Sequence, residues 1–229
     1  MFNAAHMGLF NSGELTDPYF LQVALLVNFA SGALTDKSNN ARTLSIVSGS
    51  VVSSVYKWPQ IGYSFDTGGG GTGNGGFSFP DNANLDITGA FTLEAWIRPN
   101  TGGGDNKVLD GDGVSTYRFG FKSNYGTMGG EGIGGFGGTT GMTVDGSTWY
   151  HACWERNASN TIRNYINGAI VHSPGAVAGT LAPNTSVHVC KGYYAGEYAP
   201  MYMGEVRLTI GTARYNGAFT TPSAPFPTK

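Results

Sequence analysis

The C-terminal stretch Gly204-Glu205-Val206-Arg207-Leu208-Thr209-Ile210-Gly211-Thr212-Ala213-Arg214-Tyr215 decides the fold class. Val206, Leu208 and Ile210 alternate with polar residues, which predicts a strand with one buried face. The strand leads into an Ala-Arg-Tyr turn and then a tail that contains Phe219-Thr220-Thr221-Pro222 and Pro225-Phe226-Pro227.

A second stretch, Phe91-Thr92-Leu93-Glu94-Ala95-Trp96-Ile97-Arg98-Pro99, shows the same alternation. Its odd-numbered apolar residues share one face, whereas Glu94, Trp96 and Arg98 share the other. A β-sandwich needs this pattern, because one face enters the core and the other carries aromatic and charged pairs.

Other segments predict further strands and turns. Val23, Leu25, Val27 and Phe29 predict a half-buried strand, and residues 43–47 and 50–55 predict a hairpin around Ser48-Gly49. Residues 107–110 and 116–122 predict a hairpin closed by Asp110-Gly111-Asp112-Gly113, and Asn167-Gly168 predicts a type I′ hairpin. Residues 187–192 and 201–210 complete the strand set. The glycine-dense segment 126–141 is either strands weakened by glycine or a close approach of backbones at an assembly contact.

Composition narrows the class of protein. A chain of 229 residues fits one large β domain, and its 12% charged residues and 37 glycines indicate many short strands and tight turns. The net charge is −2 with 13 Lys and Arg, so no basic footprint for a nucleic acid is expected. No Lys or Arg precedes Lys37 and no long apolar run occurs, so we expect no signal peptide and no membrane insertion. Cys153 and Cys190 are expected to be free, buried thiols.

Several of these motifs resemble one family. They are similar to the laminin G-like, concanavalin A-like jelly rolls of bacteriophage virion proteins. The similar motifs are segments 91–99 and 204–215, the step Asp17-Pro18-Tyr19, the strand Trp149-Tyr150-His151-Ala152-Cys153 and the hairpin at Asn167-Gly168. The resemblance covers about residues 17–227. It implies an all-β, two-sheet antiparallel jelly-roll sandwich in residues 17–229, with a C-terminal strap and a short N-terminal arm in residues 1–16.

The resemblance also implies a function. We expect a non-enzymatic virion structural protein, made in a host cytoplasm, that acts as a capsid-surface decoration, cement or adhesion subunit. Its partners would be other virion proteins of the capsid or tail, and the chain would form a homo-oligomer such as a trimer. The alternative is a tail-associated carbohydrate-binding module that attaches to a host-surface glycan.

Catalytic and metal sites have few candidates. Only Asp110 and Asp112 have the spacing of a glycosidase pair, and they lie in a turn where Asp is common for backbone reasons, so we expect no enzyme. Relatives of this fold often bind calcium at a rim, and the oxygen ligands available here are Asp36, Asn39, Asp110, Asp112 and Glu205. Their alternative role is that of ordinary turn and strand residues.

The remaining binding candidates are tyrosines. Tyr193, Tyr194 and Tyr198 lie in a predicted loop before the last strand. Tyrosine rings supply a large contact area with few torsions to restrict, which suits carbohydrate or protein ligands. The alternative is that the loop folds its rings onto its own sandwich.

Overall fold

The computed structural model describes residues 16–68, 75–100, 105–112, 117–194, 197 and 199–229. The predicted N-terminal arm, the glycine loop after Gly68 and the candidate Tyr198 therefore lie outside the described residues, except for Thr16, Gly75 and Gly76. The first half of the chain forms β1 (Val23–Asn28), β2 (Thr35–Asp36), β3 (Ser45–Ser48), β4 (Ser50–Val52), β5 (Ser64–Asp66), β6 (Gly76–Pro80), β7 (Phe91–Pro99) and β8 (Asp105–Gly111). The second half forms β9 (Arg118–Lys122), β10 (Thr127–Glu131), β11 (Gly135–Gly137), β12 (Tyr150–Arg156), β13 (Thr161–Ile166), β14 (Ala169–Ala176), β15 (Ser186–Val189) and β16 (Met201–Ile210). Short 3₁₀ turns lie at Phe20–Gln22, Ala30–Gly32 and Ala83–Leu85.

The strands form two antiparallel sheets, as the sequence predicts. Nine of these strands form the larger sheet. Seven of them follow the order β14-β13-β12-β7-β16-β1-β2, and the other two join beside this path, where β5 pairs with β16 and β4 pairs with β5. The smaller sheet has seven strands in the order β11-β10-β9-β8-β15-β6-β3. Within the described ranges no helix is long and apolar enough to cross a membrane.

The main core lies between the two sheets. Leu93, Trp154 and Leu208 enter it from the larger sheet, and Phe119 and Phe77 enter it from the smaller one. The alternation predicted for β7 is confirmed, since Phe91, Leu93, Ala95 and Ile97 all belong to this core.

The prediction for β1 was partly wrong. All six of its residues are buried, because the strand packs on both of its faces. The register against β16 shifts between Val23 and Leu25, and this bulge turns Val23 toward a second cluster with Leu26 and Trp58 while Leu25 and Val27 stay in the main core.

The hairpin predicted around Ser48-Gly49 was wrong. β3 pairs with β6 of the smaller sheet, whereas β4 pairs with β5 of the larger sheet, so the chain passes from one sheet to the other at Gly49. Gly49 has φ +94°, and a β-carbon there would lie 2.5 Å from the carbonyl oxygen of Asp66. The segments on both sides of Gly49 have the alternating pattern of hairpin strands, so the local sequence could not show that the chain passes between sheets here.

The pairing of the predicted hairpin at residues 107–122 is confirmed, but Asp110 and Gly111 lie in β8 and not in the closing turn, of which residues 113–116 lie outside the described residues. The turn at Asn167-Gly168 is confirmed. β8 pairs with β9, and β13 pairs with β14 through Asn167 (φ +50°) and Gly168 (φ +79°), the pair of left-handed residues that a type I′ turn needs. The glycine-dense segment forms β10 and β11, as the interpretation of glycine-weakened strands predicts. A β-carbon at Gly138 would lie 1.8 Å from the Val171 carbonyl oxygen, so glycine brings this segment against β14 of its own chain.

Residues 211–229, here called the strap, cover part of the outer face of the larger sheet. Beneath the strap the Glu94 carboxylate accepts hydrogen bonds from Arg207 Nη2 (2.7 Å) and Tyr215 Oη (2.6 Å), and it contacts His151 Nε2 at 3.1 Å. Asp17 binds both Arg207 (2.9 Å) and Arg214 (2.8 Å), which joins the start of the domain to the strap. Burial would raise the pKa of Glu94, but Arg207, His151 and Arg214 outweigh it and hold the pKa well below its ordinary range.

A second anchor of the strap is Glu205 on β16. Its carboxylate accepts hydrogen bonds from Trp58 Nε1 (2.6 Å) and from the backbone N–H of Phe226 (3.1 Å). The dominant effect is burial, which raises the pKa of Glu205 to about 8 although both hydrogen bonds oppose it.

Both cysteines are free and buried, as expected. Cys153 lies on β12 of the larger sheet, and Cys190 directly follows β15 of the smaller sheet with its Sγ 3.8 Å from Met203 Sδ.

Replacing Gly49 with alanine is expected to lower the free energy of unfolding by about 2 kcal/mol or more, because the residue needs positive φ and its new β-carbon would meet a backbone oxygen. Urea denaturation measures the loss. Gly89→Ala is the matched control, since a β-carbon there meets nothing within 4 Å. Equal effects of the two changes would contradict the crossing at Gly49.

Glu205 should make stability depend on pH. Because its folded-state pKa of about 8 is raised above the ordinary value of 4.5, its contribution is complete below about pH 4.5 and is lost as the pH rises through 8. Between those limits the free energy of unfolding should fall by up to about 1.4 kcal/mol per pH unit from this group alone. Denaturant titrations of the wild type and Glu205→Gln from pH 5 to 9 should differ by that slope, and parallel curves would exclude this role.

Candidate functional site

A row of polar residues crosses the outer face of the smaller sheet. Neighbouring strands place Glu131 opposite Arg118, Arg118 opposite Asp110, Asp110 opposite His188, and His188 opposite Ser78. The row arises because Phe119 and Phe121 of β9 point into the core, so Arg118 and Lys122 point outward.

Arg118 organises this face. Its Nε donates to Asp110 Oδ1 at 3.1 Å, its Nη1 donates to Glu131 Oε2 at 2.5 Å, and its Nη2 donates to Glu197 Oε2. Burial would lower the pKa of Arg118, but these acceptors outweigh it and keep the guanidinium charged. Three carboxylates therefore hold one nearly buried cation in a fixed orientation.

Two lysines extend the cluster. The buried Lys107 donates to Asp105 at 2.6 Å, and Lys122 lies 3.8 Å from Asp105 and 3.6 Å from Glu131. Both ammonium groups lie over the Phe136 ring, at 5.3 Å and 4.6 Å from its centroid. These ion pairs join three cations to four carboxylates, those of Asp105, Asp110, Glu131 and Glu197.

The tyrosine loop, residues 190–199, is anchored on this row. Asp110 Oδ2 accepts the Tyr193 backbone N–H at 2.8 Å, and Glu197 Oε2 accepts that of Tyr194 at 3.3 Å. The Tyr193 and Tyr194 rings meet edge to face at 5.1 Å, and the Arg118 guanidinium lies 5.0 Å from the Tyr194 ring centroid. Tyr193 is 48% exposed and Tyr194 is 45% exposed, so these two rings face solvent and do not fold onto the sandwich.

Asp110 thus has a structural duty at the candidate site. Burial is the main influence on its pKa and raises it to about 6, against the Tyr193 N–H and Arg118, which both favour the ionised form. The structure brings Asp110 and Tyr193 together, a contact that the sequence did not predict.

The calcium candidates do not converge. Asp36 accepts the N–H groups of Ser38 and Arg42 in its own turn, next to the exposed Asn39, and that of Leu26 on β1. Asp112 accepts the N–H groups of residues 184–186 and the Thr185 hydroxyl. These bonds outweigh its burial and lower its pKa to about 2. Glu205 lies under the strap on the other sheet. Across the described part of the chain no three or more Asp, Glu, His or Cys side chains form a metal-binding group, and the five candidates do not come together at one place.

The acid–base pair that a glycosidase needs is likewise not formed by Asp110 and Asp112. Asp110 is neutralised by Arg118, and Asp112 is occupied by the backbone of residues 184–186. Asp110 therefore holds the backbone at Tyr193, and Asp112 holds that of residues 184–186 before β15.

Comparison with protein families agrees with this architecture. A sequence profile described as the concanavalin A-like lectin/glucanases superfamily matches residues 69–210, which is more than half of the chain. The chain belongs to this superfamily. No curated protein matches the sequence closely enough to count as a relative.

Solved structures of clostridial toxin domains share the fold. The binding domain of Paraclostridial Mosquitocidal Protein 1 aligns with a TM-score of 0.61 and 13% identity over 88% of this chain and 50% of the toxin chain. The receptor-binding domain of botulinum neurotoxin D aligns with 0.60 and 12% over 86% and 51%. Botulinum neurotoxin type C, described as dependent on two ganglioside molecules for cell entry, aligns with 0.58 and 16% over 83% and 48%. This chain thus spans about half the length of these chains, and the likeness shows the jelly-roll fold of a lectin-like domain.

Sequence reasoning found the exposed tyrosines but missed the residues that hold them. Arg118 and Glu131 come together through the pairing of β9 with β10, and Glu197 reaches them because β15, which precedes it, pairs with β8. The alternation Arg118-Phe119-Gly120-Phe121-Lys122 was the available signal, since it places both cations on one face.

Arg118→Gln should leave the buried Asp110 carboxylate without its cation and lower the free energy of unfolding by about 3 kcal/mol. Lys122→Gln is the matched control: it removes the same charge from a more exposed position on the same strand and should cost less than about 1 kcal/mol. Chemical denaturation at neutral pH measures both, and equal losses would show that Arg118 does not organise the face.

Proposed function

We propose that this chain is a non-enzymatic binding subunit whose exposed Tyr193–Tyr194 pair contacts a neutral, hydroxyl-rich glycan. The observation that carries the proposal is the pair of partly exposed rings, which meet edge to face. The backbone N–H groups of Tyr193 and Tyr194 donate to Asp110 and Glu197, and these bonds hold the two rings in place. Aromatic rings provide the apolar platform on which the faces of sugar rings pack.

The charge of the surrounding surface supports a neutral ligand. Arg118, Lys107 and Lys122 are each within 4 Å of at least one carboxylate, so the charges of these three cations are already compensated within the fold. The carboxylate oxygens of this cluster, among them those of the partly exposed Glu131, can accept hydrogen bonds from sugar hydroxyls.

The fold supports a role in ligand binding more than a role in catalysis. The toxin domains that share it are described as binding or receptor-binding domains. The Asp110 and Asp112 carboxylates serve loop backbones here, so we infer that this domain turns over no substrate.

The setting that we propose is the surface of a bacteriophage particle, where the chain would be an adhesion or decoration subunit of capsid or tail. The support is the resemblance of the β7, β12 and strap motifs to phage jelly rolls. Mass spectrometry of purified virions would measure the copy number: a stoichiometric ratio to the capsid protein indicates decoration, and a few per cent indicates the tail. Absence from particles would overturn this setting and leave the binding proposal untouched.

Tyr193→Ala and Tyr194→Ala should each reduce binding to a neutral glycan by about tenfold, and the double change should abolish it, because each ring supplies stacking area. A glycan array identifies the ligand and calorimetry with that glycan measures the constants. Tyr56→Ala is the matched control, since Tyr56 is 44% exposed but lies outside the tyrosine loop. Glycan binding that survives the double change, or no binding of any neutral glycan, would reject the proposal.

A further inference from the structure

The strap leaves one end of the larger sheet's outer face open. This area, here called the cationic patch, consists of Lys57, Trp96, Arg98, Trp149 and Tyr202. Arg98 lies directly opposite Tyr202 on the paired strands β7 and β16, and Trp149 immediately precedes β12 on the other side of β7. The patch and the tyrosine loop therefore lie on different sheets.

Arg98 is held in place but not neutralised. Its guanidinium lies 5.3 Å from the Tyr202 ring centroid, and its Nε donates to the Gly146 carbonyl at 2.5 Å. Among the described residues the two terminal nitrogens of Arg98 have no hydrogen-bond partner and no carboxylate within 4 Å. These nitrogens form the pair of parallel donors that a carboxylate accepts.

Lys57 supplies the second cation. Its ammonium lies 3.8 Å from the Trp96 ring centroid and 4.9 Å from that of Trp58, and no carboxylate of the described ranges pairs with it. Lys57 is half-buried, and this burial lowers the pKa of its ammonium group.

A glycine brings Lys57 and Trp149 together. A β-carbon at Gly204 would lie 3.0 Å from the Lys57 Cβ and 3.3 Å from the Trp149 ring, so both side chains lie against the backbone of β16. The Trp149 ring, which is half-buried, therefore lies beside Lys57. The pairing of Tyr150 with Ile97 places Trp149 next to Arg98 at the end of the same two strands.

We propose that the cationic patch binds a carboxylated sugar of an acidic polysaccharide. Arg98 and Lys57 receive the carboxylate, and the Trp149 ring packs against the face of the sugar. The contrast with the smaller sheet supports this assignment, because the cations of that sheet's cluster are already paired with carboxylates. A single sugar carboxylate matches two cations beside a ring, whereas a nucleic acid would need a larger basic surface than a chain of net charge −2 offers.

The test uses the full chain and the trisaccharide of galacturonic acid, with its methyl ester as the uncharged analogue of the same shape. Calorimetry at low salt should show binding of the acid that weakens as salt rises, and no binding of the ester. Arg98→Gln, Lys57→Gln and Trp149→Ala should each lower the association constant about tenfold, as expected for one charge-assisted bond or one stacked ring. Lys37→Gln, which removes an exposed charge elsewhere, should leave the constant unchanged.

Several outcomes would overturn the proposal: equal binding of acid and ester, an equal loss with Lys37→Gln, or equally tight binding of polyglutamate, which would identify the patch as a protein contact. Arg98→Lys keeps the charge without the paired donors, so it should retain part of the affinity even where Arg98→Gln perturbs folding. The double variant Tyr193→Ala/Tyr194→Ala should bind the acidic trisaccharide normally, which separates failure of this proposal from failure of the tyrosine site.

Discussion

The ion pair between Glu94 and Arg207 is the interaction on which the larger sheet depends. Both side chains are almost completely buried on its outer face, and neither could be there without the other, because a lone charge out of water is costly by several kcal/mol. Asp17, Arg214 and Tyr215 complete the network from the start of the domain and from the strap. The strap, the first turn and the two central strands must therefore form together.

This constraint also explains why the two outer faces differ. Under the strap every charge of the network finds a partner within the fold, and the strap's apolar residues, such as Phe226, close the layer. Where the strap ends, Arg98 and Lys57 remain on the same face with aromatic rings as their neighbours. On the smaller sheet the ion pairs join neighbouring strands and hold one loop, so that sheet can present Tyr193 and Tyr194 without altering the core.

Much of this architecture follows from the sequence. Alternation in β7 predicts a strand and Asn167-Gly168 predicts a hairpin, since side-chain period and turn chemistry are local properties. The sandwich and its strap follow from the resemblance of these segments to laminin G-like jelly rolls. Gly49 shows the limit: β3 and β4 alternate as a hairpin would, and only their partners β6 and β5 show that the chain changes sheets. The candidate site has the same limit. The sequence predicts Tyr193 and Tyr194 as binding residues, but it does not predict that Asp110 and Glu197 hold them, because strand pairing brings these residues together from distant parts of the chain.

The anchoring of Tyr193 and Tyr194 bears on the affinity of the glycan site that we propose. Asp110 and Glu197 fix the backbone at both rings, so little conformational entropy remains to be lost when a ligand packs against them. Two exposed rings still offer a small contact area, and one such site gives modest affinity. A surface that displays many copies of the domain would gain from effective concentration, which raises the overall affinity without any new contact. Under the proposed function, display of many copies would therefore strengthen attachment more than any single contact of this loop.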